Sequence, residues 1–250
     1  MKKIIISLAF GLASVNSWSI CAYNLDATQA DLQSQLSERF PSVTGSEVSY
    51  STTLTNKIYS AMSKSIYNNL VTSAGDFNTL NGDKELATNG IQAFEFKFKL
   101  PQILDNKTML NIFPIIVGGK MLNGENINFM ISYQKLGSVN SFYLTLTSPN
   151  NVGQTTTLPI QTTSDGYQYL GIYLNQNSNQ IGVIFNGVNK GYIDNYPSKL
   201  KNIFFTINSN YTDMTNQDIG KNVEIKLITD SSQISQTYPT STTDICGINI

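Results

Sequence analysis

Ala93-Phe94-Glu95-Phe96-Lys97-Phe98-Lys99-Leu100 is the stretch on which the fold turns. Its phenylalanines recur at every second position, and the residues between them are Glu95, Lys97 and Lys99. In an extended chain successive side chains point to opposite sides, so this period of two makes one apolar and one charged face. The segment therefore reads as a half-buried strand. Ile127, Phe129, Ile131 and Tyr133 repeat the alternation, as do Phe142, Leu144 and Leu146. Leu170, Ile172 and Leu174 lead through Asn175-Gln176-Asn177-Ser178 into Ile181, Val183 and Phe185, which reads as a hairpin. Asn186-Gly187 then supplies the strongest turn signal in the chain. Two further strands are expected at Ile203, Phe205, Ile207 and at Val223, Ile225, Leu227. The run from Ile112 to Val117 is continuously apolar, as expected of a strand covered on both faces, and Gly118-Gly119 ends it. So many half-buried strands predict an all-β domain of two antiparallel sheets packed face to face, with a closed barrel as the alternative.

The N-terminal part carries the helical signals, enough for one or two short helices. Thr28 and Asp31 form a capping-box-like start, and Leu32, Leu36 and Phe40 recur before Pro41 stops the run. A second stripe is Ile58, Met62, Ile66 and Leu70, with irregular strand and loop as its alternative.

Lys2 and Lys3 precede an apolar run from Ile4 to Val15, and Ser17-Trp18-Ser19 places small residues before a cleavage point. Residues 1–19 thus read as a secretory signal peptide, leaving a single mature domain over 20–250. The run is too short to span a bilayer, which takes about 20 residues. No membrane span is expected further on. A lipid-modified Cys21 fits less well, because Ile20 stands where a small residue usually precedes such a cysteine. In an exported chain with two cysteines, a single Cys21–Cys246 disulfide is the default over two free thiols. Its Cα atoms must come within about 7 Å. That makes a first strand around Ala22–Leu25 and a last one around Ile245–Ile250 neighbours.

Composition narrows the chemistry. Without Lys2 and Lys3, the 16 Lys+Arg fall to 14 against 17 Asp+Glu, a net charge of −3. No basic footprint for nucleic acid is present. Arg39 is the sole arginine, so bidentate clamping of phosphate or carboxylate is nearly excluded. The absence of histidine removes Ser-His-Asp and Cys-His catalysis and histidine-bound zinc. Trp18 leaves with the signal, so tyrosine is the aromatic left with both a flat face and a polar tip.

The segment Tyr169-Leu-Gly-Ile-Tyr-Leu-Asn-Gln-Asn-Ser-Asn-Gln-Ile-Gly-Val-Ile-Phe-Asn-Gly-Val-Asn-Lys-Gly-Tyr192 resembles the central hairpin of concanavalin A-like lectin/glucanase domains, and residues 93–99 resemble an early strand of the same domains. The resemblance implies a jelly-roll sandwich. The ends are similar to something narrower. Cys21-Ala-Tyr-Asn-Leu-Asp-Ala-Thr-Gln-Ala30, Gln236-Thr-Tyr-Pro239 and Asp244-Ile-Cys-Gly247 look like a family of small secreted Gram-negative bacterial proteins with no assigned function. This implies export to the periplasm or beyond, and the terminal disulfide.

Glycoside cleavage needs two carboxylates meeting in a cleft. No such cluster occurs; Glu95 and Glu224 are expected to be solvated strand-face charges, and no catalytic residue is assigned. Asn208, Asn210, Asp213, Asn216 and Asp218 are oxygen-rich, but their spacing matches no calcium loop, so a solvated turn is expected and no metal or cofactor is assigned. Tyr143, Tyr169, Tyr173 and Tyr192 stand on non-core faces and are the candidate ligand-binding residues, against the alternative of ordinary cross-strand pairs. The leading reading is an exported, non-catalytic binding module for a glycan or cell-envelope ligand. The alternative is a structural or protein-interaction component with an envelope protein as partner, and a glycosidase or lyase ranks below both.

Overall fold

The computed structural model describes residues 21–33, 37–73, 75–103, 108–148 and 151–250, so the expected signal peptide, 1–19, lies outside the described residues. In chain order the strands are β1 Glu38–Arg39, β2 Ser42–Thr44, β3 Glu47–Ser51, β4 Lys57–Met62, β5 Lys84–Glu85, β6 Ile91–Lys99, β7 Met109–Met121, β8 Asn126–Leu136 and β9 Val139–Ser148. There follow β10 Asn151–Val152, β11 Thr156–Pro159, β12 Tyr167–Asn175, β13 Gln180–Phe185, β14 Val188–Asn195, β15 Leu200–Thr212, β16 Asn222–Ile228 and β17 Thr242–Asp244. Two short helices, α1 Gln29–Gln33 and α2 Lys64–Thr72, precede β5.

The strands form two sheets. One runs β1-β4-β15-β7-β8-β9-β10, with β11 added on β9 and β5 on β15; the other runs β14-β13-β12-β6-β16-β3-β2, with β17 added on β6. We call them the nine-stranded and the eight-stranded sheet. Among the described pairings, β1–β4 and β17–β6 are parallel and the rest antiparallel. The result is the expected jelly-roll sandwich. At its centre Phe94, Phe96 and Phe98 of β6 are 0% exposed. Phe94 meets Phe205 of β15 edge-on at 5.0 Å, and Phe98 meets Phe142 of β9 at 4.7 Å. Burying each such ring stabilises the fold by about 1.5–3 kcal/mol.

The apolar run in β7 is covered on both sides. Ile115 and Val117 belong to the main core, whereas Ile116 points outward to join Phe204, Leu32 and the α2 residues Ile66 and Leu70. A register shift between Ile112 and Ile115 accompanies this run. At the expected hairpin end, Asn186 and Gly187 take φ of 48° and 80°. Two consecutive positive φ values are what a two-residue turn needs to match strand twist.

The N-terminal expectations are realised in part. Thr28 and Asp31 cap α1 reciprocally, the Thr28 amide donating to Asp31 at 2.8 Å and the Asp31 amide to Thr28 Oγ1 at 3.3 Å. The helix spans five residues; Leu36 lies outside the described residues, and Phe40 packs on Tyr50 and Tyr59 instead. The second stripe divides. Tyr59 and Ala61 point inward with strand period, leaving Ile58 56% exposed, and α2 begins only after Ser63, whose hydroxyl accepts from the Ile66 amide.

Cys21 and Cys246 are bonded, with Cα atoms 5.8 Å apart, but not between paired end strands. Residues 21–28 are irregular; the Leu25 and Ala27 amides donate to Gly45 and Met62 carbonyls. The last named strand, β17, ends at Asp244, before the cysteine. The buried Asp244 carboxylate accepts from the amides of Ser231, Cys246 and Ile248 and turns the chain there.

Candidate functional site

The outer face of the eight-stranded sheet can be laid out from its register. On β6, Lys99 stands opposite Tyr167 of β12 on one side and Glu224 of β16 on the other. Two residues back, Lys97 stands opposite Tyr169 and Lys226. Lys226 in turn stands opposite Glu47 of β3. The apolar alternation that buries Phe96 and Phe98 thus delivers tyrosines, lysines and carboxylates to one lattice outside. Glu47, Lys97, Tyr167, Tyr169, Glu224 and Lys226 line an open groove of about 410 Å³.

One wall of the groove is a strap, residues 229–241, which crosses the sheet after β16. Glu95 fastens it. Its carboxylate is 0% exposed and accepts from the Ser235 and Gln236 amides at 3.1 and 2.7 Å, from the Ser235 hydroxyl at 2.9 Å and from the Tyr238 hydroxyl at 3.2 Å. The expectation of a solvated Glu95 is therefore corrected: the strap covers it and supplies the hydrogen bonds that a buried carboxylate requires. Gly171, opposite Glu95, makes room for this crossing. A Cβ there would lie 2.4 Å from the Tyr238 hydroxyl oxygen. Burial, followed by the Glu95 charge and hydrogen bond, pushes the Tyr238 hydroxyl far above its ordinary pKa, so it stays a donor.

Inside the groove the polar groups are tied to one another. Tyr167 donates to Glu224 Oε2 at 2.7 Å, and Lys99 Nζ lies 3.2 Å from Oε1. The hydrogen bond to Glu224 is the main reason Tyr167 is pushed up to about 12. The same bond, helped by Lys99, holds Glu224 below its ordinary value. Glu224 is thus corrected from a lone solvated charge to one centre of this network. Tyr169 donates to Asp165 at 2.5 Å and lowers its pKa. Lys97 Nζ sits 4.0 Å from the Tyr167 ring centroid and 5.1 Å from that of Tyr169. Among the described residues, no carboxylate forms an ion pair with Lys97 or Lys226.

The four tyrosines picked out in the sequence are not brought together. Tyr169 lies in the groove. Tyr173 is 2% exposed, lying across Gly182 beneath Tyr192 and Tyr238, with its hydroxyl on Asn189. It forms a buried outer-face cluster with Ala93 and Ile184, so it offers no free face. Tyr192 is 42% exposed, packs against Tyr173 with its ring tilted by 60° and accepts from Asn175. Tyr143 belongs to the other sheet, in a separate open depression of about 380 Å³ with Met130, Ser132 and Thr145. Tyr167, Lys97, Lys226 and Glu47 were not singled out. The alternation around Lys97, Tyr169 and Lys226 is visible in the sequence, whereas no strand is expected at β3, which carries Glu47. Which residues stand opposite one another is a matter of register, which a single strand does not reveal.

The oxygen-rich segment is not a solvated turn throughout. Asn208 and Asn210 lie within β15. Asp218 is 0% exposed, paired with Lys221 at 3.1 Å and accepting from Thr108 and Thr215 at 3.3 and 3.4 Å. Its lone pairs are occupied by protein donors. Cys21, Asp244 and Cys246 are the one metal-like cluster among the described residues, and the disulfide leaves no thiolate there.

The fold is similar to that of alginate lyase A1-II′, of polysaccharide lyase family 7, at 13% identity and a TM-score of 0.39 over 72% of this chain and 75% of that one. It is similar also to porphyranase B from Zobellia galactanivorans (11%, 0.40, over 77% and 81%) and to sheep galectin-11 in complex with glycerol (11%, 0.33, over 60% and 98%). No curated protein matches. The family model that does match covers residues 2–248 and is described as a domain of unknown function, DUF4882, and the chain belongs to that family.

Proposed function

We propose that the protein is an exported, non-catalytic polysaccharide-binding module, acting in the periplasm or outside a Gram-negative cell, whose ligand lies along the outer face of the eight-stranded sheet. The observation that carries this reading is the open groove of about 410 Å³ in which Tyr167 and Tyr169 are held side by side among hydrogen-bonding groups. Tyrosines fixed by their hydroxyls present ring surface at little entropic cost, which suits a chain of sugar rings. Tyr169 is the candidate retained from the four tyrosines, joined by Tyr167.

The chemistry of the same groove favours binding over cleavage. A proton abstractor works best with a pKa near the working pH. Tyr167 is shifted the other way, to about 12, by the carboxylate it donates to. A general acid needs a raised carboxyl, and Glu224 is lowered. The export reading is supported by the signal-like residues 1–19 and by the Cys21–Cys246 bond, which persists in oxidising compartments.

Isothermal calorimetry against a panel of envelope and extracellular polysaccharides tests the proposal. Tyr169→Ala should weaken binding by about tenfold, roughly 1.4 kcal/mol, while Tyr143→Ala on the opposite sheet should leave it unchanged. Loss of binding with Tyr143→Ala rather than Tyr169→Ala, or no binding to any polysaccharide, would refute it.

A further inference from the structure

Resting on the groove reading above, we infer that the polysaccharide is an acidic one, and that Lys97 and Lys226 recognise its carboxylate or sulfate groups. The register sets Lys226 of β16 directly opposite Lys97 of β6. Directly opposed residues have Cβ atoms about 4.5–5.5 Å apart, and like charges so placed repel. Folding gains nothing from this pair as it stands. The neighbouring carboxylates do not close on it: Glu224 is already held by Lys99 and Tyr167, and Glu47, which stands opposite Lys226 on β3 and lines the same groove, forms no ion pair with it. Lys97 sits over ring faces at 4.0 and 5.1 Å and acts on the Asp165 and Glu224 carboxylates without pairing with either.

Both lysines line the groove, and so do Tyr167 and Tyr169. An anionic group between the two ammonium ions removes their repulsion on binding, whereas a neutral sugar leaves it in place. Lysine suits this task as a point charge that does not demand the planar, two-pronged geometry of arginine. The chain as a whole is slightly acidic, at −1, so general attraction of polyanions is not the cause. The rest of the sheet face supplies the ring surface along which the sugar chain lies, and the lysine pair selects for its charge.

The test uses matched probes: dextran sulfate oligomers against dextran, and oligogalacturonate against its carboxyl-reduced form, each titrated into the whole mature protein. At 20 mM salt at least one acidic probe should bind ten or more times tighter than its neutral partner, and raising the salt to 300 mM should erode that preference. Lys97→Met with Lys226→Met, which keeps the apolar stems, should abolish the preference. Wild-type salt dependence reads the same property without a variant. Which acidic probe shows the preference separates carboxylate from sulfate recognition. Equal binding of acidic and neutral probes that still depends on Tyr169 would overturn this inference and leave the module reading intact; no binding of either kind would overturn both.

Discussion

Replacing Glu95 with alanine removes the acceptor for four donors at once: the Ser235 amide and hydroxyl, the Gln236 amide and the Tyr238 hydroxyl. A hydrogen bond to a charged group contributes about 1.5–3 kcal/mol, and a buried donor left alone costs about 1–3. Ser235 is exposed, so water replaces much of what it loses. Gln236 and Tyr238 lie deeper, and although Tyr238 keeps the Phe94 carbonyl at 3.3 Å, each loses a bond to a charged acceptor, so taking the lower figure for each gives a loss of about 3 kcal/mol. Glu95→Gln keeps one acceptor oxygen but turns an amide N–H₂ toward the other donors, so it should cost about half as much. In urea denaturation, with a slope of about 2–3 kcal/mol/M, the alanine variant should lower the midpoint by roughly 1–1.5 M without changing the slope. Limited proteolysis within 229–241 should accelerate in parallel. An alanine variant within about 0.3 M of wild type, or a glutamine variant as damaged as the alanine one, would refute the view that this carboxylate fastens the strap.

Converting Cys21 and Cys246 together to serine should cost about 2–5 kcal/mol, since the bond closes a loop of 225 residues in the unfolded chain. Wild type in reductant should match the variant's urea midpoint, and a variant as stable as oxidised wild type would contradict this. Phe96→Ala empties a site between Phe98 and Phe205, at 6.0 and 6.3 Å, and should cost about 3–5 kcal/mol by thermal melting; a loss below about 1 kcal/mol would show the ring to be peripheral. Glu224 is lowered in the folded state from an ordinary value of 4.5, chiefly by Tyr167 and then by Lys99. Its contribution is therefore complete above that value and fades as pH falls through the lower folded one. Glu224 is partly exposed, so the stability difference between wild type and Glu224→Gln should be about 0.5 kcal/mol or less at neutral pH and should vanish in acid. A difference that grows in acid would reverse the assignment.

The strands were legible because half-buried strands alternate. Phe94, Phe96 and Phe98 face the core as their period requires, and the Asn186-Gly187 turn forms where it was expected. Ile112–Val117 was legible as doubly covered because nothing in it is polar, and Ile116 does go to the α2 side. The end strands were not. Cys21 and Cys246 announce that the ends meet, but not that Asp244 turns the chain before the cysteine. The same period of two that found β6 misjudged Glu95, since alternation says which side a residue faces and not what else crosses that side. Only the strap, some 140 positions later, covers Glu95. Tyr173 was misplaced for the same reason, with Tyr238 arriving from that strap. The groove itself is a product of register among β12, β6, β16 and β3, which pairs Tyr169, Lys97, Lys226 and Glu47 across four strands distant in sequence.

The most direct measurement is a crystal structure of the mature protein soaked or co-crystallised with an acidic oligosaccharide selected by the calorimetry. The sugar rings should lie against Tyr167 and Tyr169, with an anionic group within about 3 Å of Lys97 or Lys226 Nζ. Density for the oligosaccharide on the Tyr143 face of the other sheet, with the groove between β12 and β3 left bare, would contradict the account.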